Sequence, residues 1–146
     1  QGLTIAQPTL LVPILRAGLG LLEGFTKFLP DAEKGHIGLY RDEQTYEPVE
    51  YLFKLPRTKN KKIIILDPML ATGNSSIAAI NLIKNKGVKN KDIFLVSLLA
   101  APEGLKNIKK QQKGIRIFTC SIDAKLNNNK FIVPGLGDAG DRYMGT

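Results

Sequence analysis

An acid, three hydroxyl side chains and a glycine fall within Asp67-Pro68-Met69-Leu70-Ala71-Thr72-Gly73-Asn74-Ser75-Ser76, directly after the apolar run Ile63-Ile64-Ile65-Leu66. The pattern is a strand ending in an acid, a loop of small residues, and the first turn of a helix. Backbone N–H groups of such a loop, together with the positive end of the helix, face an anion. Asp67 can accept from sugar hydroxyls, while Thr72, Ser75 and the N–H groups hold a monophosphate. No G-K-[ST] follows, and no lysine stands in the loop to reach a terminal phosphate. G-x-G-x-x-G is also absent, which removes the dinucleotide fingerprint. A sugar phosphate fits this set better than a triphosphate.

Three other segments carry groups of interest. Arg16 ends the apolar run Leu10–Leu15 and is followed by Ala17-Gly18-Leu19-Gly20. A fixed guanidinium fork there suits phosphate oxygens; the alternative is an arginine snorkelling off a strand end. Arg41 opens the polar stretch Arg41–Pro48 and reads equally as an exposed loop arginine or as a cation on a closing flap. The C-terminal Ile132-Val133-Pro134-Gly135-Leu136-Gly137-Asp138-Ala139-Gly140-Asp141-Arg142 is rich in glycine. Glycine lets backbone approach a flat ligand, and amide groups can complement the donor and acceptor edge of a base. Its bland alternative is a surface turn with an Asp141–Arg142 ion pair. The single histidine, His36, has no acid, base or metal partner by spacing and is not read as catalytic. No Cys/His cluster indicates a structural metal. The single cysteine, Cys120, lies in the apolar run Ile115–Ile122 and reads as a buried structural thiol, with no internal disulfide to form.

The elements that must position these groups follow from periodicity. Apolar, β-branched runs predict strands at Leu10–Leu15, His36–Tyr40, Val49–Leu55, Lys62–Leu66, Ile93–Ala100, Ile115–Ile122 and Lys130–Val133. Helices are expected over Leu21–Phe28, Ser75–Lys86 (Ile77, Ile80 and Ile83 on one face) and from Pro102 to before Gly114. Asn127-Asn128-Asn129 reads as a surface turn. Alternating strands and helices predict an open α/β domain with a largely parallel sheet, in which ligands bind at the carboxyl ends of the strands. The loops after Leu15, Leu66, Ala101 and Val133 all fall at such ends.

At 146 residues, with 43% hydrophobic and 23% charged residues, the chain has the composition of one globular domain. The apolar run Leu10–Leu15 is too short to span a bilayer and lacks a basic flank, so neither a membrane helix nor a signal peptide is read. The net charge of +8 raises nucleic acid as a partner. The lysines, however, are spread over Lys59–Lys62, Lys84–Lys86 and Lys109–Lys113 without interleaved aromatic residues. Single-strand stacking needs such residues, so nucleic acid is not read as the primary partner.

The segment Asp67–Ser75 resembles the 5-phosphoribosyl 1-diphosphate (PRPP) signature of the type I phosphoribosyltransferases, and with Asp67-Pro68-Met69-Leu70 in front it resembles the uracil branch. Pro13–Gly20 is similar to that family's diphosphate-side loop, and Ile132–Arg142 to its uracil-binding segment. Leu39–Thr45 and Ala100–Gly104 match further family segments in the same order. The resemblance implies an open, mainly parallel α/β sheet flanked by helices, with a β-hairpin flap. It implies transfer of the phosphoribosyl group from PRPP to N1 of uracil, giving UMP and diphosphate in pyrimidine salvage. Arg16, Arg41 and Asp138 are then catalytic. PRPP contacts come from Arg16, Arg41, Asp67, Pro68, Met69, Leu70, Ala71, Thr72, Gly73, Asn74, Ser75 and Asp138. Uracil contacts come from Ile132, Gly137, Asp138 and Ala139. Magnesium would arrive on the diphosphate, GTP is an effector candidate, and a cytoplasmic homo-oligomer is expected. The rival reading is a regulatory protein of the same fold that senses nucleotides and contacts RNA. Pro68 stands where most of the wider family has a second acid, and Asn74 where glycine is common. The family's N-terminal portion has no counterpart here, so the chain reads as one N-terminally truncated domain.

Overall fold

The computed structural model describes residues 7–42, 44–45 and 47–146. The first apolar run forms β1 (Thr9–Leu15), and α1 (Gly18–Phe28) follows after two residues, starting earlier than the glycines of that turn suggest. A short β2 (Glu33–Lys34) precedes β3 (His36–Arg41) and β4 (Pro48–Lys54), which pair antiparallel as the expected hairpin. At its tip Asp42 accepts hydrogen bonds from the backbone N–H groups of Gln44 (2.9 Å) and Thr45 (2.7 Å). The β-branched run gives β5 (Lys62–Leu66), resumed after two residues as β6 (Met69–Leu70). Then come α2 (Asn74–Lys84), β7 (Ile93–Ala100), α3 (Pro102–Gln111), β8 (Arg116–Ile122), a small hairpin of β9 (Lys125–Leu126) and β10 (Ile132–Val133), and a short α4 (Ala139–Met144).

The main sheet runs β4–β3–β1–β5–β7–β8, with β2 beside β1 and β6 beside β7. Every pairing in it except β3–β4 is parallel. One face is closed by α2, whose Ile77, Ile80 and Ile83 pack into a core with Val12, Ile65 and Leu95. These are the three positions the helical period selects. The opposite face carries α1, with Leu21, Leu22 and Phe25 against Leu11 and Leu66. Strands buried on both faces need apolar residues at successive positions, which is why β1 and β5 read as unbroken runs.

Two expectations fail. Cys120 is exposed, not buried. It lies on β8, the edge strand of the main sheet beside β7, on the same side as Phe118 (54% exposed) and Ile122 (58% exposed). An apolar run predicts burial on both faces only when elements cover both, and β8 is covered on one. The last strand is also shorter than Lys130–Val133: it begins at Ile132 because Asn127–Lys130 makes the hairpin tip. Asn127 and Lys130 close that tip through backbone hydrogen bonds, so the asparagine cluster is the surface turn expected.

Candidate active site

The expected site segments converge at the carboxyl ends of the parallel strands. β5 stops at Leu66, and the N–H of Asp67 still donates to Val96 O (3.0 Å). Pro68 O accepts from the N–H groups of both Leu98 and Leu99, after which β6 rejoins β7. Asp67 therefore sits in a break between two stretches paired to one neighbour. Its Oδ2 accepts from the Ser76 hydroxyl at 2.6 Å. Burial disfavours the carboxylate and lifts its pKa to about 6, although hydrogen bonds from Ser76 and the Met69 N–H favour the charged form.

The turn from β6 into α2 depends on Gly73, whose φ of 83° lies in the left-handed region. The first hydrogen bond of α2 runs from the Ile77 N–H to Gly73 O. Of the first-turn N–H groups before it, that of Asn74 donates to the Thr72 hydroxyl at 3.4 Å, and none has a partner within the helix, the kind of donor array that suits an anion. α3 packs close behind the loop because Gly104 has no Cβ to meet Ala71 O. From one turn further on, Asn107 Nδ2 donates to Thr72 O (2.9 Å) and Asn74 Oδ1 (3.1 Å).

Arg16 follows β1 across a cis Leu15–Arg16 peptide bond. Its guanidinium donates to Asp141 Oδ1 at 2.8 Å and to the Thr146 hydroxyl at 3.4 Å, and both members of the ion pair are about half exposed. Asp141 thus pairs with Arg16, 125 residues away, in place of the Arg142 pairing that a local surface turn would give. Asp138 is the N-cap of α4 and accepts from the Asp141 N–H at 2.9 Å. These contacts fold the C-terminal segment back over the Arg16–Ala17 turn.

A cleft of about 200 Å3 lies where the two segments meet. Met69 and Ala71 line one side, with Ile132, Gly137, Asp138 and Ala139 on the other. All four residues expected at uracil are there, beside two from the phosphate loop. The backbone of Arg41 ends β3 opposite Pro48; its side chain, like Glu43 and Tyr46, lies outside the described residues. Sequence reasoning gave Ser76 no role of its own, and it missed Lys130 and Phe131, which also line the cleft. It missed Asn107 as well, since only the fold brings α3 to the loop. His36 stands at the amino end of β3, opposite Lys54 and away from the strand ends that carry the site.

A larger cleft, about 700 Å3, lies elsewhere, at the amino ends of β5, β7 and β8. Lysines far apart in sequence meet there: Lys59, Lys61 and Lys62, Lys86, Lys89 and Lys91, joined by Arg116. Several are engaged already. Lys61 pairs with Glu33, Lys62 pairs with Asp92, and Arg116 stacks on the Phe94 ring at 4.4 Å. The Asp67 carboxyl and the N–H groups at the start of α2 lie at the other end of the strands.

The uracil phosphoribosyltransferase family profile matches residues 1–146. The chain belongs to that family. A uracil phosphoribosyltransferase from Streptococcus salivarius is 55% identical over 137 residues, covering 93% of this chain and 65% of the relative. One from Finegoldia magna is 55% identical over 136 residues, covering 92% of this chain and 64% of the relative. The chain thus spans about 65% of the length of the curated relatives it matches. Among solved structures, the AQ2163 protein from Aquifex aeolicus superimposes with a TM-score of 0.86 at 44% identity, over 92% of this chain and 64% of that one. A purine phosphoribosyltransferase from Pyrococcus horikoshii matches with a TM-score of 0.64 at 19% identity, over 81% of this chain and 72% of that one. At that identity the likeness concerns the fold. The open, mainly parallel sheet of the type I phosphoribosyltransferases is the fold of this family member. No described helix is long and apolar enough to cross a membrane.

Proposed function

We propose that residues 1–146 form a phosphoribosyltransferase domain that transfers the 5-phosphoribosyl group of PRPP to N1 of uracil, releasing UMP and diphosphate. The observation that carries this reading is the 200 Å3 cleft, with the phosphate-loop residues Met69 and Ala71 on one wall and the Gly137–Ala139 backbone on the other. Family membership and the 55% identity to named uracil phosphoribosyltransferases support the choice of base.

In this reading the first-turn N–H groups of α2, with Thr72 and Ser75, hold the 5-phosphate, and Asp67 accepts from the ribose hydroxyls. Uracil lies flat in the cleft against Ile132, with its polar edge on the Gly137–Ala139 backbone. The bond from the anomeric carbon to diphosphate breaks, leaving positive charge on the ribose and negative charge on the departing oxygens. N1 of uracil supplies the electron pair for the new bond, and its proton passes to the departing diphosphate or to water. Arg16 stabilises the leaving diphosphate, exchanging Asp141 for phosphate oxygens, and Arg41 is a second cation for it. Catalysis is positioning plus electrostatics, with no covalent protein nucleophile.

Among the described residues no three His, Cys, Asp or Glu side chains gather around one point. Asp138 does offer a lone carboxylate at the cleft, a hard oxygen donor suited to Mg2+ shared with substrate and water. Magnesium would supply charge neutralisation on the diphosphate there. A GTP effector, homo-oligomeric assembly and a cytoplasmic location belong to the same reading and rest on the family resemblance; a chain without an internal disulfide fits the cytosol. The basic cleft favours a second reading, a regulatory relative that contacts RNA. One assay separates them: UMP formation from uracil, PRPP and Mg2+, with hypoxanthine and orotate as controls. Turnover with uracil alone is expected. RNA binding without turnover would favour the regulator, and a preference for either control base would overturn the uracil assignment.

A further inference from the structure

We infer that Asn107 is a positioning residue for the phosphate loop, acting with Asn74 as a tether between α3 and that loop. The inference rests on the phosphoribosyl-transfer reading above and explains how asparagine is accommodated where the family resemblance leads one to expect glycine.

The geometry of the tether is closed. Asn107 Nδ2 has two protons: one goes to Thr72 O at 2.9 Å and the other to Asn74 Oδ1 at 3.1 Å. Its own Oδ1 accepts from Gln111 Nε2 at 2.7 Å. Turning the amide over would set an oxygen against two acceptors and an NH2 against another NH2. The orientation is therefore locked. Gly104, three residues earlier on the same face of α3, permits the approach that makes these bonds reachable.

Two consequences follow for an anion at the loop. In a planar trans peptide the C=O and the next N–H point in opposite directions. Drawing the Thr72 carbonyl toward α3 thus turns the Gly73 N–H away from α3. The second consequence concerns Asn74, the first residue of α2. Gly73 is the N-cap, and an asparagine just inside it can fold its side-chain oxygen onto nearby backbone N–H groups when nothing else holds it. Those are the donors a 5-phosphate needs, so an untethered Asn74 would compete with the substrate. Asn107 removes that competitor by holding the oxygen on α3.

The test compares Asn107→Ala with the double variant Asn107→Ala/Asn74→Gly. Loss of the tether should raise KM for PRPP about tenfold, the effect of roughly one hydrogen-bond-scale penalty, with KM for uracil unchanged. Replacing Asn74 by glycine in that background deletes the competitor, so KM for PRPP should return to within about threefold of wild type. A purely structural role predicts the reverse, further loss as more contacts are removed. An unchanged KM with a lowered Tm, or a double variant worse than the single, would overturn the inference. If the wild-type chain makes no UMP, the reaction assignment fails, and calorimetric titration with ribose 5-phosphate judges the tether alone by the same order of affinities. No binding of ribose 5-phosphate by the wild type would overturn the tether as well.

Discussion

The Ser76→Ala exchange removes a single oxygen from the site and tests how Asp67 is held ionised. Ser76 is fully buried, and its hydroxyl donates to Asp67 Oδ2 at 2.6 Å. Burial lifts the Asp67 pKa from 3.8 to about 6, and this bond opposes the rise. A hydrogen bond to a charged group contributes about 1.5–3 kcal/mol, and about 1.4 kcal/mol corresponds to one pH unit. The variant's carboxyl should therefore titrate about one to two pH units higher. At pH 7 roughly nine-tenths of wild-type Asp67 is ionised, against about a tenth to a half in Ser76→Ala. The pH profile of kcat/KM for PRPP reports ionisations of the free enzyme. Its acid limb should move up by that amount in the variant, with the high-pH plateau nearly unchanged. Substrate phosphate titrates identically in both measurements, so the difference belongs to the protein. Stability supplies a second readout. The folded pKa exceeds the unfolded one, so the folded state holds the proton more tightly, and stability falls as pH rises from about 4 to about 6. The fall is about 3 kcal/mol in all, from a difference of about two pH units. It should extend to higher pH in Ser76→Ala. An acid limb that stays in place, or moves down, would refute the role given to Ser76.

Gly104→Ala should force α3 off the phosphate loop, lowering stability by about 1–3 kcal/mol and Tm by roughly 3–9 °C, with a raised KM for PRPP; calorimetry and steady-state kinetics check this. Arg16→Ala should cut kcat/KM for PRPP by about a hundredfold or more, the scale of a lost charge-assisted contact. Its ion pair with Asp141 is half exposed, so Tm should fall by no more than about 3 °C. Asp138→Asn keeps an equally good N-cap for α4, so helix content and Tm should hold while turnover drops sharply. Unchanged kinetics in that variant would remove the Asp138 charge from the mechanism.

Much of the fold was legible because its central strands are buried on both faces. Lys62–Leu66 and Ile93–Ala100 occupy the residues their apolar runs mark out. The strand–loop–helix turn at Asp67–Ser76 was legible too, since an acid, small residues and a glycine follow one apolar run within a short stretch. Cys120 was not, because an edge strand and a central strand share one local pattern and differ only in what covers them. α4 hid behind its glycines: six residues with Gly140 among them give too little period to detect, and the helix depends on the Asp138 cap. Asn107 was invisible for another reason. Its partners lie 33 and 35 residues away, so only the docking of α3 on α2 defines them. The lysines likewise meet in space, not in sequence.

The interruption between β5 and β6 also bears on how this site tolerates change. Both flanks of Asp67-Pro68 are anchored to β7, Leu66 opposite Val96 and Met69 opposite Leu99. The acid therefore projects from a spacer of fixed length between two locked registers. One residue added to or taken from that spacer would reverse which face each side chain of β6 presents, turning the buried Leu70 outward. Beyond Leu70 the chain is under no such parity rule until α2 begins. The two sides of β6 are thus constrained by different means: strand register fixes the length before it, while the left-handed turn at Gly73, the close approach of Gly104 to Ala71 O and the Asn107 bond to Thr72 O fix the loop after it.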